Sequence, residues 1–218
     1  MIQKPNAILF DLDGTLLDTA RDLGNALNQI LRELERPTIA YETYRNIASD
    51  GAKGMLELGF GEELKNYDFV SLRQQFLNYY ESNICVDTDY FNGVDNLLLA
   101  LNQNNIPWGI VTNKPHFITL QLVTSFPLLQ NCAVIVSGDT LSQRKPHPLP
   151  LLHAEAKLKL TSPSTWYIGD AERDIQAANA ANMISVVAEY GYISDIQQTN
   201  NWNAHLSIHN PIDLLAYF

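Results

Sequence analysis

The chain has 218 residues, with 14 Lys and Arg against 24 Asp and Glu, giving a net charge of −10 and a pI near 4.8. Such an acidic surface repels phosphate backbones, which argues against a nucleic-acid partner. The longest unbroken apolar runs are Leu97–Leu101, Cys132–Val136 and Leu214–Phe218, far short of the about 20 residues a spanning helix needs, so no membrane partner is expected.

Ala7–Phe10 is a short, continuously apolar run, the pattern of a strand buried on both faces. It runs directly into Asp11-Leu12-Asp13-Gly14-Thr15-Leu16 and carries no cleavage-like end, so no secretory leader is predicted. Alternation along an extended segment turns Asp11 and Asp13 the same way and Leu12 into the core. Gly14 then lets the chain turn sharply. A calcium loop beginning at Asp11 would need Gly and Glu where this chain has Leu16 and Asp22, which rules that version out.

Residues 18–88 read as helices only. Asp22–Glu35 places Leu23, Ala26, Leu27, Ile30, Leu31 and Leu34 on one face, and Phe69–Ile84 does the same with Leu72, Phe76, Tyr79, Tyr80 and Ile84. Between these patterns, Ser49-Asp50-Gly51-Ala52-Lys53-Gly54 reads as a glycine-bearing loop. The predicted organisation is therefore a helical insert over 18–88 in a core of 1–17 and 89–218.

Beyond the insert, helical patterns at Gly93–Asn104, His116–Ser125, Leu149–Lys159 and Ala171–Asn182 alternate with strand patterns. Those strands are Trp108–Val111, Ala133–Val136, Trp166–Ile168 and Ile184–Ala188. The alternation predicts an α/β fold, a parallel sheet with helices on both faces. Three further polar signals fall near strand ends. Thr112-Asn113-Lys114 offers a hydroxyl and backbone N–H groups for an anion. Lys145-Pro146-His147-Pro148 delivers a lysine from a segment stiffened by proline. Gly169-Asp170-Ala171-Glu172-Arg173-Asp174 sets two carboxylates one helical turn apart. Ligands of open α/β sheets bind outside the carboxyl ends of the strands, where these segments would meet. Cys85 and Cys132 lack metal-ligand spacing and predict neither a disulfide framework nor a zinc site, consistent with a reducing cytoplasm.

Taken together, the four signals resemble those of the haloacid dehalogenase-like phosphohydrolase superfamily over essentially the whole chain. The resemblance implies a Rossmann-like core, an all-helical cap inserted after the first motif, and Mg²⁺ as cofactor. It implies Asp11 as nucleophile, Asp13 as general acid/base, Thr112 as the phosphate-binding hydroxyl and Lys145 as the lysine that steadies nucleophile and phosphate. It further implies Asp11, Asp170 and the main-chain carbonyl of Asp13 as metal ligands, with Asp174 supporting them. Asn113, Gly51 and Lys53 become candidates for substrate contact. Asp13 also separates phosphatases from the dehalogenase branch, since halide leaves without a proton. Ser49–Met55, Phe91-Asn92-Gly93, Trp108–Pro115, Tyr190-Gly191-Tyr192-Ile193 and Asn200-Asn201-Trp202 are similar to the phosphoglycolate phosphatase-like branch, and more closely to the bacterial N-acetylmuramate 6-phosphate phosphatases of cell-wall recycling. The implied reaction is hydrolysis of a small phosphorylated metabolite, best N-acetylmuramate 6-phosphate. 2-Phosphoglycolate hydrolysis and a phosphomutase of the same superfamily are the alternatives.

Overall fold

A computed structural model describes residues 4–160 and 164–218. The chain forms two compact units, one comprising the segment up to Leu17 together with Tyr90–Phe218, the other Asp18–Asp89. No helix among the described residues is long and apolar enough to cross a membrane.

The first unit is built on a six-stranded parallel sheet. In chain order the elements are strand β1 (Ala7–Phe10), the short connecting strands β2 (Leu17–Asp18) and β3 (Asp89–Tyr90), then β4 (Trp108–Val111), β5 (Val134–Val136), β6 (Thr165–Gly169), β7 (Ile184–Ala188) and β8 (Leu206–Ile208). The sheet order is β5-β4-β1-β6-β7-β8, while β2 and β3 pair with each other. The chain builds outward from β1 through β4 to β5, then crosses back to lay β6 on the other side of β1. That reversal opens a crevice at the carboxyl ends of β1, β4 and β6. Phe10 pairs with both Ile110 and Ile168, so Asp11, Thr112 and Asp170 leave the sheet at nearly the same level.

β1, β4 and β6 are buried along their whole length, as their unbroken apolar runs predict. One face carries Leu9, Val111 and Tyr167 against residues of two helices numbered below, Leu151, Ala154, Ala177 and Ala178. On the other face the Phe10 and Trp108 rings meet edge-on at 6.3 Å, and the Trp166 ring packs on Tyr217 at 5.1 Å.

Numbered in chain order, the helices are α1 (Ala20–Glu33), α2 (Tyr41–Tyr44), α3 (Gly51–Phe60) and α4 (Phe69–Ser82) in the second unit. The first unit holds α5 (Val94–Gln103), α6 (His116–Ser125), α7 (Leu149–Lys157), α8 (Glu172–Ala180) and α9 (Ile196–Thr199). In the helical unit α1 buries Leu23, Ala26, Leu27, Ile30 and Leu31, the face its spacing predicts. Gly24 lies where an added Cβ would stand 2.2 Å from the Tyr44 ring, so a side chain there would hold the two segments apart. Asp22 is buried and accepts from Asp87 N at 2.9 Å, Thr88 N at 3.1 Å and Thr88 Oγ1 at 2.6 Å, fixing the end of the unit to its first helix.

Two sequence expectations need correction. Ser49–Gly54 is not a loop: a 3₁₀ helix spans Arg45–Asp50 and α3 begins at Gly51, whose φ of +60° makes the break between them. The sheet also has a sixth strand, β8, at Leu206–Ile208, a segment with only half-buried and exposed neighbours at its start and so no apolar run to announce it.

Candidate active site

Asp11 follows β1, and its N–H donates to Ile168 O at 2.9 Å, so the sheet ladder carries the residue to the crevice. The side chain is buried, and Oδ1 stands 3.0 Å from Lys145 Nζ. Lys145 arrives from the β5–α7 connection and is itself fully buried. Its ammonium also meets Asp174 Oδ1 at 2.7 Å and donates to Tyr167 Oη at 2.7 Å. An ammonium has three N–H donors, and these three acceptors satisfy all of them. Tyr167 gives its own hydrogen to Val111 O at 2.7 Å, which turns its lone pairs toward Lys145. Burial, and then the charges of Asp174 and Asp11, hold the Tyr167 phenol far above its ordinary pKa, so it stays a neutral hydroxyl.

Asp174 lies in the first turn of α8. One oxygen takes Lys145 and the other accepts the Ala171 N–H at 3.0 Å, closing the start of the helix. Its burial pushes the carboxyl up, with Lys145 pulling the other way. Asp170, at the end of β6, accepts the Tyr192 N–H at 3.0 Å through Oδ2. Gly191 packs on it, since an added Cβ there would lie 2.4 Å from both Asp170 Cβ and Gly14 O.

Carboxylate oxygens of Asp11, Asp170 and Asp174 all lie within 4.8 Å of one another. Three clustered carboxylates against one ammonium leave an excess of negative charge, and the donors are all hard oxygens. Both features fit a divalent cation of the magnesium type. Gly14, at φ +79°, keeps this space open, because a Cβ there would fall 2.1 Å from Asp170 Oδ2. Since both Asp174 oxygens are engaged by Lys145 and Ala171, Asp11 and Asp170 are the side chains with the geometry to hold such an ion.

Thr112 follows β4, and its N–H donates to Val136 O at 2.9 Å. Its Oγ1 accepts the Lys114 N–H at 3.2 Å, so the hydroxyl hydrogen is the one to offer a phosphate oxygen. Asn113 is engaged on both sides by the main chain of Lys145. It donates to Lys145 O at 2.9 Å and accepts Lys145 N at 3.0 Å, which fixes the lysine's backbone. Asp13 is half-buried with Oδ1 at 2.7 Å from Lys114 Nζ. In the helical unit, Gly51 begins α3, and Lys53 is exposed on the same helix, 3.6 Å from Glu57.

The residues brought together in the first unit are thus Asp11, Asp13, Thr112, Asn113, Lys145, Asp170 and Asp174. Sequence reasoning passed over Tyr167 and gave Lys114 no role. The available signals are a phenol inside a buried strand and a lysine three residues beyond another buried strand. In the sequence, Gly191 stands out only within the Tyr190–Ile193 stretch that carries the family resemblance. The structure gives it the packing against Asp170.

A crevice at the switch point of a parallel sheet, holding a buried carboxylate beside a buried lysine and a cluster of three acidic side chains, is suited to phosphoryl-transfer chemistry. The chain belongs to the haloacid dehalogenase-like hydrolases, whose family model matches residues 8–188. It is 40% identical over 210 residues to a phosphoglycolate phosphatase of Xanthomonas campestris pv. campestris, covering 96% of this chain and 95% of that protein. It is 33% identical over 208 residues to an N-acetylmuramic acid 6-phosphate phosphatase of Pseudomonas putida, covering 95% and 93%. Among solved structures, one described as a predicted phosphoglycolate phosphatase from Haemophilus somnus superposes with a TM-score of 0.87 at 26% identity, covering 99% of both chains. The protein is a phosphatase of this family, with the Rossmann-like core its motifs imply.

Proposed function

We propose that the protein is a Mg²⁺-dependent phosphatase that hydrolyses a small phosphorylated carboxylic acid through an aspartyl-phosphate on Asp11. The observation that carries this reading is the Asp11 carboxylate buried beside Lys145 at 3.0 Å, within the cluster it forms with Asp170. A free carboxylate meets a phosphate dianion with like-charge repulsion, and a preset cation in a dry site removes much of that barrier. The side chains of Asp11 and Asp170 and the main-chain carbonyl of Asp13 would hold Mg²⁺, which when bound neutralises charge on the transferring phosphoryl group.

In this reading Asp11 attacks phosphorus, the bond to the ester oxygen breaks, and Asp13 gives that oxygen a proton. Water then attacks the same phosphorus and returns its proton to Asp13. The acyl-phosphate P–O bond breaks, Asp11 is restored and inorganic phosphate leaves. Thr112 orients the phosphoryl oxygens, while Lys145, held by Asp174, Tyr167 and Asn113, steadies Asp11.

The 40% identical relatives favour 2-phosphoglycolate as first candidate, and the 33% identical relatives make N-acetylmuramate 6-phosphate the second. Both carry a carboxylate in addition to the phosphate. The helical unit would act as a cap that selects the substrate, with Gly51 and Lys53 as its candidate contacts. Phosphate release from these two compounds and from N-acetylglucosamine 6-phosphate, with and without Mg²⁺, tests the reading. The expected result is Mg²⁺-stimulated release, at least about tenfold more efficient for one carboxylate-bearing substrate than for N-acetylglucosamine 6-phosphate. No stimulated release from any of the three would reject it.

A further inference from the structure

Lys114 has no part in the chemistry above, yet it is only 9% exposed and its Nζ lies 2.7 Å from Asp13 Oδ1. The residues are 101 positions apart and meet because β1 and β4 are neighbours in the sheet. Their side chains are 6% and 14% exposed, so the pair is largely out of water. Taking two charges out of water costs several kcal/mol, which their attraction roughly repays, so such a pair adds little stability over an apolar one. What it does add is a fixed position for the carboxylate.

The lysine's own origin is fixed as well. Its N–H donates to Thr112 Oγ1 at 3.2 Å and its carbonyl accepts the Gly138 N–H at 2.8 Å. Gly138 permits that contact, since a Cβ there would stand 2.1 Å from Asn113 O. Lys145 already serves Asp11, Asp174 and Tyr167. The two buried lysines therefore divide the two aspartates of the first motif between them.

We propose that Lys114 is a positioning residue for Asp13, holding its carboxyl in the orientation from which it passes a proton to the departing oxygen. The proposal rests on the reading of Asp13 as general acid and acts only through that residue. General acid catalysis is worth about 10²–10⁴-fold, and it matters most when the leaving oxygen is basic. An alkoxide needs the proton as the P–O bond breaks, whereas a nitrophenolate is stable enough to leave without it. Loss of Lys114 should therefore be felt in proportion to the basicity of the leaving group.

The experiment measures kcat/KM, which reports steps through transfer to Asp11, for 4-nitrophenyl, phenyl and alkyl phosphates with Mg²⁺ present. Lys114→Met is expected to lose about 10- to 100-fold on the alkyl phosphate and under about 3-fold on 4-nitrophenyl phosphate, a share of the general-acid contribution. Lys114→Arg should recover most of the loss. In an Asp13→Asn background, Lys114→Met should add less than about 3-fold, since residues acting as a unit are not additive. A uniform loss across the series, or one that adds in full to Asp13→Asn, overturns the proposal. If Lys114→Met shows no cooperative thermal transition, Lys114→Gln, which keeps an amide N–H donor group without the charge, is judged by the same criterion. A wild-type protein that releases no phosphate from any of the compounds would reject the phosphatase chemistry itself, a result distinct from the uniform loss.

Discussion

The Lys145 ammonium bridges Asp11 and Asp174, lying 3.0 Å from one carboxylate and 2.7 Å from the other with no exposed surface of its own. Two buried carboxylates share one counter-charge, so in the proposed reading loss of the lysine should tell on the fold and the reaction together. Lys145→Met should lower stability by about 3–5 kcal/mol, because it leaves both carboxylates uncompensated. In a chain of this size that is roughly 6–20 °C in Tm. Calorimetry checks the stability, and phosphate release should fall to background in the protein that remains folded. An unchanged Tm would mean that the carboxylates find other partners.

Tyr167→Phe isolates the support from the lysine's charge. It removes the hydroxyl that accepts from Lys145 and donates to Val111 O. A buried acceptor and donor left unsatisfied cost about 1–3 kcal/mol. With Lys145 still present, kcat should fall by about 3- to 30-fold while KM stays close to wild type, since the interaction lost is not one made with the substrate. A rise in KM alone would place Tyr167 in substrate binding instead.

Gly14→Ala addresses the proposed metal site directly. The new Cβ would fall 2.1 Å from Asp170 Oδ2 at a φ of +79°, so the carboxylate or the turn must shift. Mg²⁺ affinity, read by calorimetric titration without substrate, should weaken at least about tenfold, or 1.4 kcal/mol. Asp170→Ala should weaken it further. Wild-type affinity in Gly14→Ala would place the ion away from Asp170.

Much of this arrangement was legible in the sequence because each motif sits beside a buried strand. β1, β4 and β6 are unbroken apolar runs, and the residues just beyond them, Asp11, Thr112 and Asp170, have one geometric destination in a parallel sheet. Legibility failed where a role depends on a neighbour distant in the chain. Nothing local to Tyr167 tells that Lys145 will reach it, and nothing local to Lys114 tells that β1 will bring Asp13 beside it. Ser49–Gly54 failed for another reason. Its glycines suggest a loop, yet Gly51 marks only the junction between two helical segments and Gly54 is buried inside α3.

Lys53 carries the claim about substrate choice. If it meets a substrate carboxylate, Lys53→Ala should lose a charge-assisted hydrogen bond of about 1.5–3 kcal/mol. That is roughly a 10- to 150-fold fall in kcat/KM for the carboxylate-bearing substrates. Activity on 4-nitrophenyl phosphate should hardly change. Equal losses, or none, would leave Lys53 as the outer partner of Glu57 on α3, an exposed pair worth at most about 1 kcal/mol.

The central claim is a covalent intermediate on Asp11, and trapping it is the most direct test. The protein is mixed with substrate and Mg²⁺, quenched in acid within one turnover, reduced with borohydride and digested for mass spectrometry. An acyl phosphate on Asp11 is reduced to the alcohol, so the peptide containing Ala7–Leu16 should carry homoserine at position 11. Asp11→Asn should show neither that product nor phosphate release, although its near-identical shape keeps the fold. An unmodified Asp11 peptide during active turnover, or Asp11→Asn turning over at close to the wild-type rate, would contradict the account.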